Sequence, residues 1–377
     1  MPDRREFLVA AGVAAAGMLT SRLHAAGTPA WPRYRDTIAI DGEGGLYLFA
    51  PDADPKDTPG ELAAARASGL GAVLLSIGPN GRYWNNDAQF EKMKAQLARV
   101  RDIVAKNPAA FRIIGEKADL ARAHEAHQLG LIPRFQGSEP IGEDLDRVTL
   151  FRQLGIRVVQ ITHNRRNLAG DGCTEPGNAG LSNLGHALIE RLNTDKVVVD
   201  LAHGSQRTIA EGIAASKAPM LISHTGCRAL ADLPRNTGDA ELRAMAERGG
   251  VAGIIFWPYL RTDTQPMAID VIRHIEHAID VCGEDHVGIG TDGAITSTER
   301  TPAFEKQNLE LMRDTVAQGV FGPACEAEGL YFFVPDLNAP DRFALLAAKL
   351  SERGHSDARI EKILGGNFAR VFADVWG

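Results

Sequence analysis

"KVVVDLAH", residues 196–203, packs three valines into a short run and stops on a histidine. A brief β-branched run of this kind suits a strand buried on both faces. Two neighbouring stretches repeat the design, "RVVQITH" at 157–163 and "PMLISHT" at 219–225. Five further runs share it: "TIAID" (37–41), "GAVLLSIG" (71–78), "LIPRFQ" (131–136), "GVAGIIFWP" (250–258) and "HVGIGTD" (286–292). Between them lie stretches with apolar residues at helical spacing, such as "DAQFEKMKAQLARVRDIVAK" (87–106) and "DAELRAMAERGG" (239–250). The second ends at Gly249-Gly250, a common way for a helix to stop. Eight strands alternating with helices predict an α/β fold of the (β/α)8 TIM-barrel type. A doubly wound sheet is the alternative. The absence of G-x-G-x-x-G after the first run argues against dinucleotide binding. The tail "ARIEKILGGNFARVFADVW" (358–376) reads as a closing helix pair around Gly365-Gly366-Asn367.

Composition agrees with an ordinary globular chain. Of 377 residues, 44% are apolar and 24% charged, with a net charge of −7 and no long basic stripe. Nucleic acid is therefore an unsuitable partner. The N-terminus differs: Arg4-Arg5 precede Phe7-Leu8 and a mild Ala/Gly/Val stretch, and small residues follow at 25–26. This resembles a twin-arginine (Tat) export signal, so residues 1–26 are set apart from the fold and 27–377 form a single barrel domain. The expected location is the periplasm or beyond. The apolar run over 7–20 is shorter than the roughly 20 residues needed to span a bilayer. Four cysteines, Cys173, Cys227, Cys282 and Cys325, show no zinc-finger or C-x-x-C spacing, and their pairing stays open.

The chemistry sits at the strand ends, which in such a barrel face the active site. They carry Asp41 and Glu43, Gln136, His163, His203, His224 and Asp292. A lone histidine there is commonly a structural group. Three successive strands closing on "ITH", "LAH" and "ISH", followed by one closing on "GTD", form a pattern. Two imidazoles on adjacent strands suit Zn²⁺, and a nearby aspartate can exchange a proton with water and a leaving amine.

On these residues the chain resembles the membrane (renal-type) dipeptidases, peptidase family M19 of the amidohydrolase superfamily. The resemblance spans about 36–375 and is carried by "ITHNRRN" (161–167), "VVVDLAHGS" (197–205), "PMLISHTGCRALADLPRN" (219–236), "VGIGTDG" (287–293) and "ILGGNFARVF" (363–372). It implies zinc ligation by His203 and His224, a substrate contact by His163, a carboxylate grip by Arg235, and amine recognition with proton handling by Asp292. A planar guanidinium also fits a carboxylate on chemical grounds.

Two departures qualify the implied two-zinc centre. Where the family has Asp-Gly-His-x-Asp on its first strand, this chain reads Asp41-Gly42-Glu43-Gly44-Gly45. Where the family has a metal-bridging Glu, "FQGS" (135–138) places Gln136. The expectation is one zinc on His203 and His224, with Gln136 or Glu43 supplying an oxygen. Restoring His, Asp and Glu at 43, 45 and 136 is expected to raise the count towards two. Asp41 is expected to orient its strand end, Glu139 is a remote substitute ligand, Cys227 a bystander, and His274 and His277 solvated or capping groups. The implied activity is hydrolysis of dipeptides or N-acyl amino-acid-like amides, by a possible homodimer. An inactive binding protein for small amino-acid derivatives and a metal-independent acid/base enzyme remain open.

Overall fold

A computed structural model describes residues 30–50, 53–78, 87–317, 321 and 328–377. The twin-arginine segment and Cys325 lie outside them. The strands are β1 Ile40–Gly45, β2 Ala72–Ser76, β3 Phe111–Ile113, β4 Leu129–Phe135, β5 Val158–Gln160, β6 Val198–Asp200, β7 Leu221–Thr225, β8 Val251–Ile254, β9 Val287–Ile289 and β10 Gly293–Ala294. All pairings are parallel, in the order β10-β1-β2-β4-β5-β6-β7-β8-β9. β9 pairs with β8 and the same segment, as β10, pairs with β1. That segment closes the ring, giving a (β/α)8 barrel whose staves match the eight runs read from the sequence.

Two details differ from the reading. β1 starts at Ile40 and continues to Gly45, so Asp41 lies within the strand and not at its end. Its pairing with β2 shifts register between Asp41 and Gly44. Gly42 makes the passage possible, because a Cβ there would stand 2.5 Å from the Ser223 carbonyl and 2.8 Å from Phe368. β3 was not foreseen. It is three residues long, only Phe111 of the three is buried, and it pairs only with the N-terminal half of β4, outside the ring.

The barrel interior is layered. Its lower layer is apolar, built from Ile40, Leu74, Ile132, Val158, Val198, Leu221 and Val251, and is plugged by Phe368. Phe368 belongs to the helix Asn367–Trp376, the second of the predicted closing pair. Asn367 fixes that helix beneath β9 by donating 2.8 Å bonds to the carbonyls of Glu284 and Val287. Burial of side chains in this layer, at about 1.5–3 kcal/mol each, anchors the barrel floor. One layer up, at the same inward parity, the residues turn polar: Arg134, Gln160, Asp200 and Ser223 are all fully buried.

His274 corrects the expectation of a solvated or capping group. It is 1% exposed, its Nδ1 accepts the Cys227 N–H at 2.9 Å and its Nε2 meets the Leu260 carbonyl at 3.0 Å. Burial lowers its pKa to about 4, so the neutral ring ties the helix Ala268–Cys282 to the loops after β7 and β8. His277 instead pairs with Asp239 at 2.9 Å. Among the described residues Cys173, Cys227 and Cys282 form no disulfide.

Candidate metal centre and active site

The site lies at the C-terminal rim, where loops leave the strands. Gln136 follows β4, His163 follows β5, His203 follows β6, His224 lies in β7, and Asp292 separates β9 from β10. Two of these, His203 and Asp292, hold left-handed backbones with φ of 62° and 52°. Such angles are uncommon for residues with a Cβ, and persist where the surroundings over-determine them. Asp292 is pinned on both sides: its N–H donates to the Glu43 carbonyl and its own carbonyl accepts the Trp257 indole N–H, each at 2.7 Å. The His203 carbonyl accepts the Cys173 N–H at 2.7 Å. Beyond it, Ser205 caps the helix Gln206–Ala215 by accepting from the Thr208 N–H.

His203, His224 and Asp292 converge, with one ligand atom from each within 4.8 Å of the others. The two Nε2 atoms are 2.8 Å apart, and Asp292 Oδ2 stands 4.0 Å from His224 Nε2. Hydrogen bonds behind the rings set their tautomers. Ser223 Oγ gives its proton to Asp200 Oδ2 at 2.6 Å, and it accepts from Arg134 at 2.9 Å. It can therefore only accept from His224 Nδ1, 2.8 Å away, which must carry the proton. His203 Nδ1 likewise donates to Asn164 Oδ1 at 2.6 Å, an oxygen that also receives the Cys173 thiol. Both Nε2 atoms consequently present lone pairs to the same point. Two acceptors at that separation repel unless a proton or a metal cation lies between them. Two neutral imidazoles and a carboxylate fit a divalent ion of the zinc type. The expectation had given Asp292 amine recognition and proton handling; the structure places its carboxylate beside the two imidazoles, where it could serve as the anionic member of a donor set.

This backing yields a prediction. Ser223→Ala removes the acceptor that holds the proton on His224 Nδ1. Metal affinity should fall by about 10–100-fold, the usual effect of losing such a supporting group. A competition titration against a chromogenic chelator reads it; unchanged affinity would show that Ser223 does not orient the ring.

The other anticipated residues take distinct places. Gln136 stands beside the donor set, its amide nitrogen 3.3 Å from His224 Nε2, and a flip of the amide would present oxygen instead. His163 stacks on His203 with ring centroids 4.2 Å apart. Arg235 is 3% exposed; one nitrogen donates to the His224 carbonyl at 2.8 Å, while its Nε and other terminal nitrogen are buried and have no hydrogen-bond partner among the described residues. Glu43 is not drawn into the cluster. Its Oε1 accepts from Ser76 Oγ at 2.7 Å and its Oε2 pairs with Arg134 at 2.8 Å. Burial pushes its carboxyl up to about 8, with Arg134 pulling the other way. Asp41 orients strands, accepting from the Thr291 N–H at 2.8 Å and its hydroxyl at 2.6 Å. Glu139 accepts from the Asn167 amide at 3.4 Å.

Sequence reasoning missed Arg134, Asp200, Ser223 and Asn164. Parity could have found the first, since Ile132, Arg134 and Gln136 alternate onto one face of the strand.

The profile of the membrane dipeptidase family, peptidase family M19, matches residues 39–305. The chain belongs to that family. It is 28% identical to dipeptidase verJ of Clonostachys rogersoniana over 298 residues, covering 77% of this chain and 67% of that one. Dipeptidase ataJ of Aspergillus terreus is 26% identical over 318 residues, covering 77% and 69%. Among solved structures, an amidohydrolase from Pseudomonas aeruginosa superposes with a TM-score of 0.75 at 26% identity, covering 91% of this chain and 98% of that one. A Rhodobacter sphaeroides metallopeptidase, liganded with a phosphinate mimic of L-Ala-D-Ala, has a TM-score of 0.70 at 20% identity, covering 90% and 100%. Family membership makes the chain a metal-dependent hydrolase of the dipeptidase type.

Proposed function

We propose that this family member is exported and hydrolyses dipeptides or similar small amino-acid amides with one zinc ion per chain. The carrying observation is the pair of Nε2 lone pairs on His203 and His224 facing one point beside Asp292. Glu43, the remaining first-strand candidate, is committed to Ser76 and Arg134. His203, His224 and one Asp292 oxygen would hold the ion, with Gln136 at the margin. A zinc ion there would supply Lewis-acid polarisation of a carbonyl and a lowered pKa for water.

The chain's own groups divide the remaining work. The unanswered terminal nitrogen of Arg235, with the second proton of the nitrogen that serves the His224 carbonyl, suits a substrate carboxylate, fixing which end of a dipeptide enters. His163, beside His203, would donate to the oxygen that gains negative charge. The second Asp292 oxygen would hold a proton and return it to the leaving amine. The test is zinc analysis of protein purified without chelator, joined to a dipeptide panel that includes D-configured C-terminal residues. Near one zinc per chain with metal-dependent turnover is expected. Metal-free protein that binds dipeptides unchanged would make it a binding protein, and turnover without metal would make it an acid/base enzyme.

Export rests on Arg4-Arg5 and the mild apolar stretch after them. Among the described residues, no helix is long and apolar enough to cross a membrane. Changing both arginines to lysine should leave precursor in the cytoplasm. Normal levels of mature protein outside, read by fractionation and blotting, would remove the twin-arginine reading.

A further inference from the structure

Arg134 is the unusual residue of this barrel. Its guanidinium is 0% exposed, it sits inside the ring, and it lies directly beneath the donor cluster through Ser223. Two carboxylates claim it: Glu43 Oε2 at 2.8 Å and Asp200 Oδ2 at 2.7 Å. Gln160 Oε1 accepts at 2.7 Å and Ser223 Oγ at 2.9 Å. Among the described residues its Nε has no hydrogen-bond partner, so the seat is set by the acids and not by saturation of the guanidinium itself.

We infer that Arg134 is a built-in cation that takes the electrostatic place of a second metal ion and keeps one out. This inference rests on the single-zinc reading above. The single positive charge of Arg134 faces both Glu43 and Asp200 and offsets the charge of one of them without a dication. A second dication drawn towards Glu43 would meet a guanidinium already on that carboxylate, in a medium where like charges repel strongly. Through Ser223 the same guanidinium also braces the hydrogen bond that sets the His224 tautomer. Arg134 is therefore a positioning residue as well as an excluding one.

The inference changes what ligand restoration should do. Glu43→His, Gly45→Asp and Gln136→Glu together return the family's donors but leave Arg134 in place. That triple variant should bind no more zinc than the parent. Adding Arg134→Ser should raise the count by one ion per chain. Zinc per chain is measured by emission spectrometry after gel filtration, with circular dichroism to verify the fold. A triple variant that already gains an ion, or a folded quadruple variant that gains none, overturns the inference. A parent binding no zinc would instead defeat the single-zinc reading, while the increment on removing Arg134 is still read.

Melting temperatures keep the idea testable should the quadruple variant not fold. Arg134→Met should melt about 4 °C or more below the parent, because it strands two buried acids. Glu43→Gln added to it should recover part of that loss. No loss in the single variant, or no recovery in the double, removes Arg134 from this role.

Discussion

Removing the imidazole of His203 or of His224 is expected to abolish tight zinc binding. For the zinc sites of small folded modules, about 10–16 kcal/mol of binding is shared by four ligands, or roughly 2.5–4 kcal/mol each. Losing one should thus weaken affinity by about 10²–10³-fold. His224→Ala is a direct test, since His224 lies in β7 with an ordinary backbone. His203 needs more care, because its φ is 62° and alanine would add strain. His203→Asn is the better probe, since asparagine tolerates the left-handed region and cannot replace Nε2. Glu43→Gln is the contrast. Its partners are Ser76 and Arg134, so zinc affinity should stay within a few-fold while the melting temperature falls. Isothermal titration with zinc reads all three. If His224→Ala keeps the parent's affinity, the donor set lies elsewhere. If unmodified protein holds two ions tightly, Arg134 and Glu43 do not balance each other as their geometry indicates.

How much of this was legible beforehand follows from which interactions are local. The eight staves were readable because each is a short apolar run, and burial on both faces is written into consecutive residues. β3 was not, since "FRI" buries one side chain and depends on β4 for its existence. His203 and His224 were readable because a strand end is a fixed address in a barrel. The tautomers were not, because they depend on Asn164 and on Ser223 with its partner Asp200, which meet only after the ring closes. His274 shows the same limit: helical position said surface, but the loops after β7 and β8 fold over it. Glu43 was the hardest case. Sequence placed it at a metal-binding address, and only the inward parity of Arg134, 91 residues downstream, explains why it turns away.

Substrate recognition should fail most sharply at Arg235. A buried guanidinium ordinarily saturates its donors, because each unanswered one costs desolvation energy. Here one terminal nitrogen serves the His224 carbonyl, which holds the side chain next to a donor histidine. Among the described residues Nε and the other terminal nitrogen have no hydrogen-bond partner, and the guanidinium carbon lies 5.8 Å from the Tyr259 ring centroid. A planar cation braced on one edge and unanswered elsewhere suits a carboxylate. Arg235→Met keeps the bulk and removes the charge. Truncating one partner of a buried charged pair costs about 2–5 kcal/mol, so kcat/KM for free dipeptides should drop about 30- to 5000-fold. Dipeptide amides, which lack the carboxylate, should lose far less. That difference is the decisive readout, because a structural arginine would depress both substrates equally. Arg235→Lys should recover little, since a single ammonium cannot reproduce the two-point contact. Equal losses on acid and amide, at unchanged zinc content, would assign Arg235 to holding the β7 loop and place the carboxylate site elsewhere on the rim.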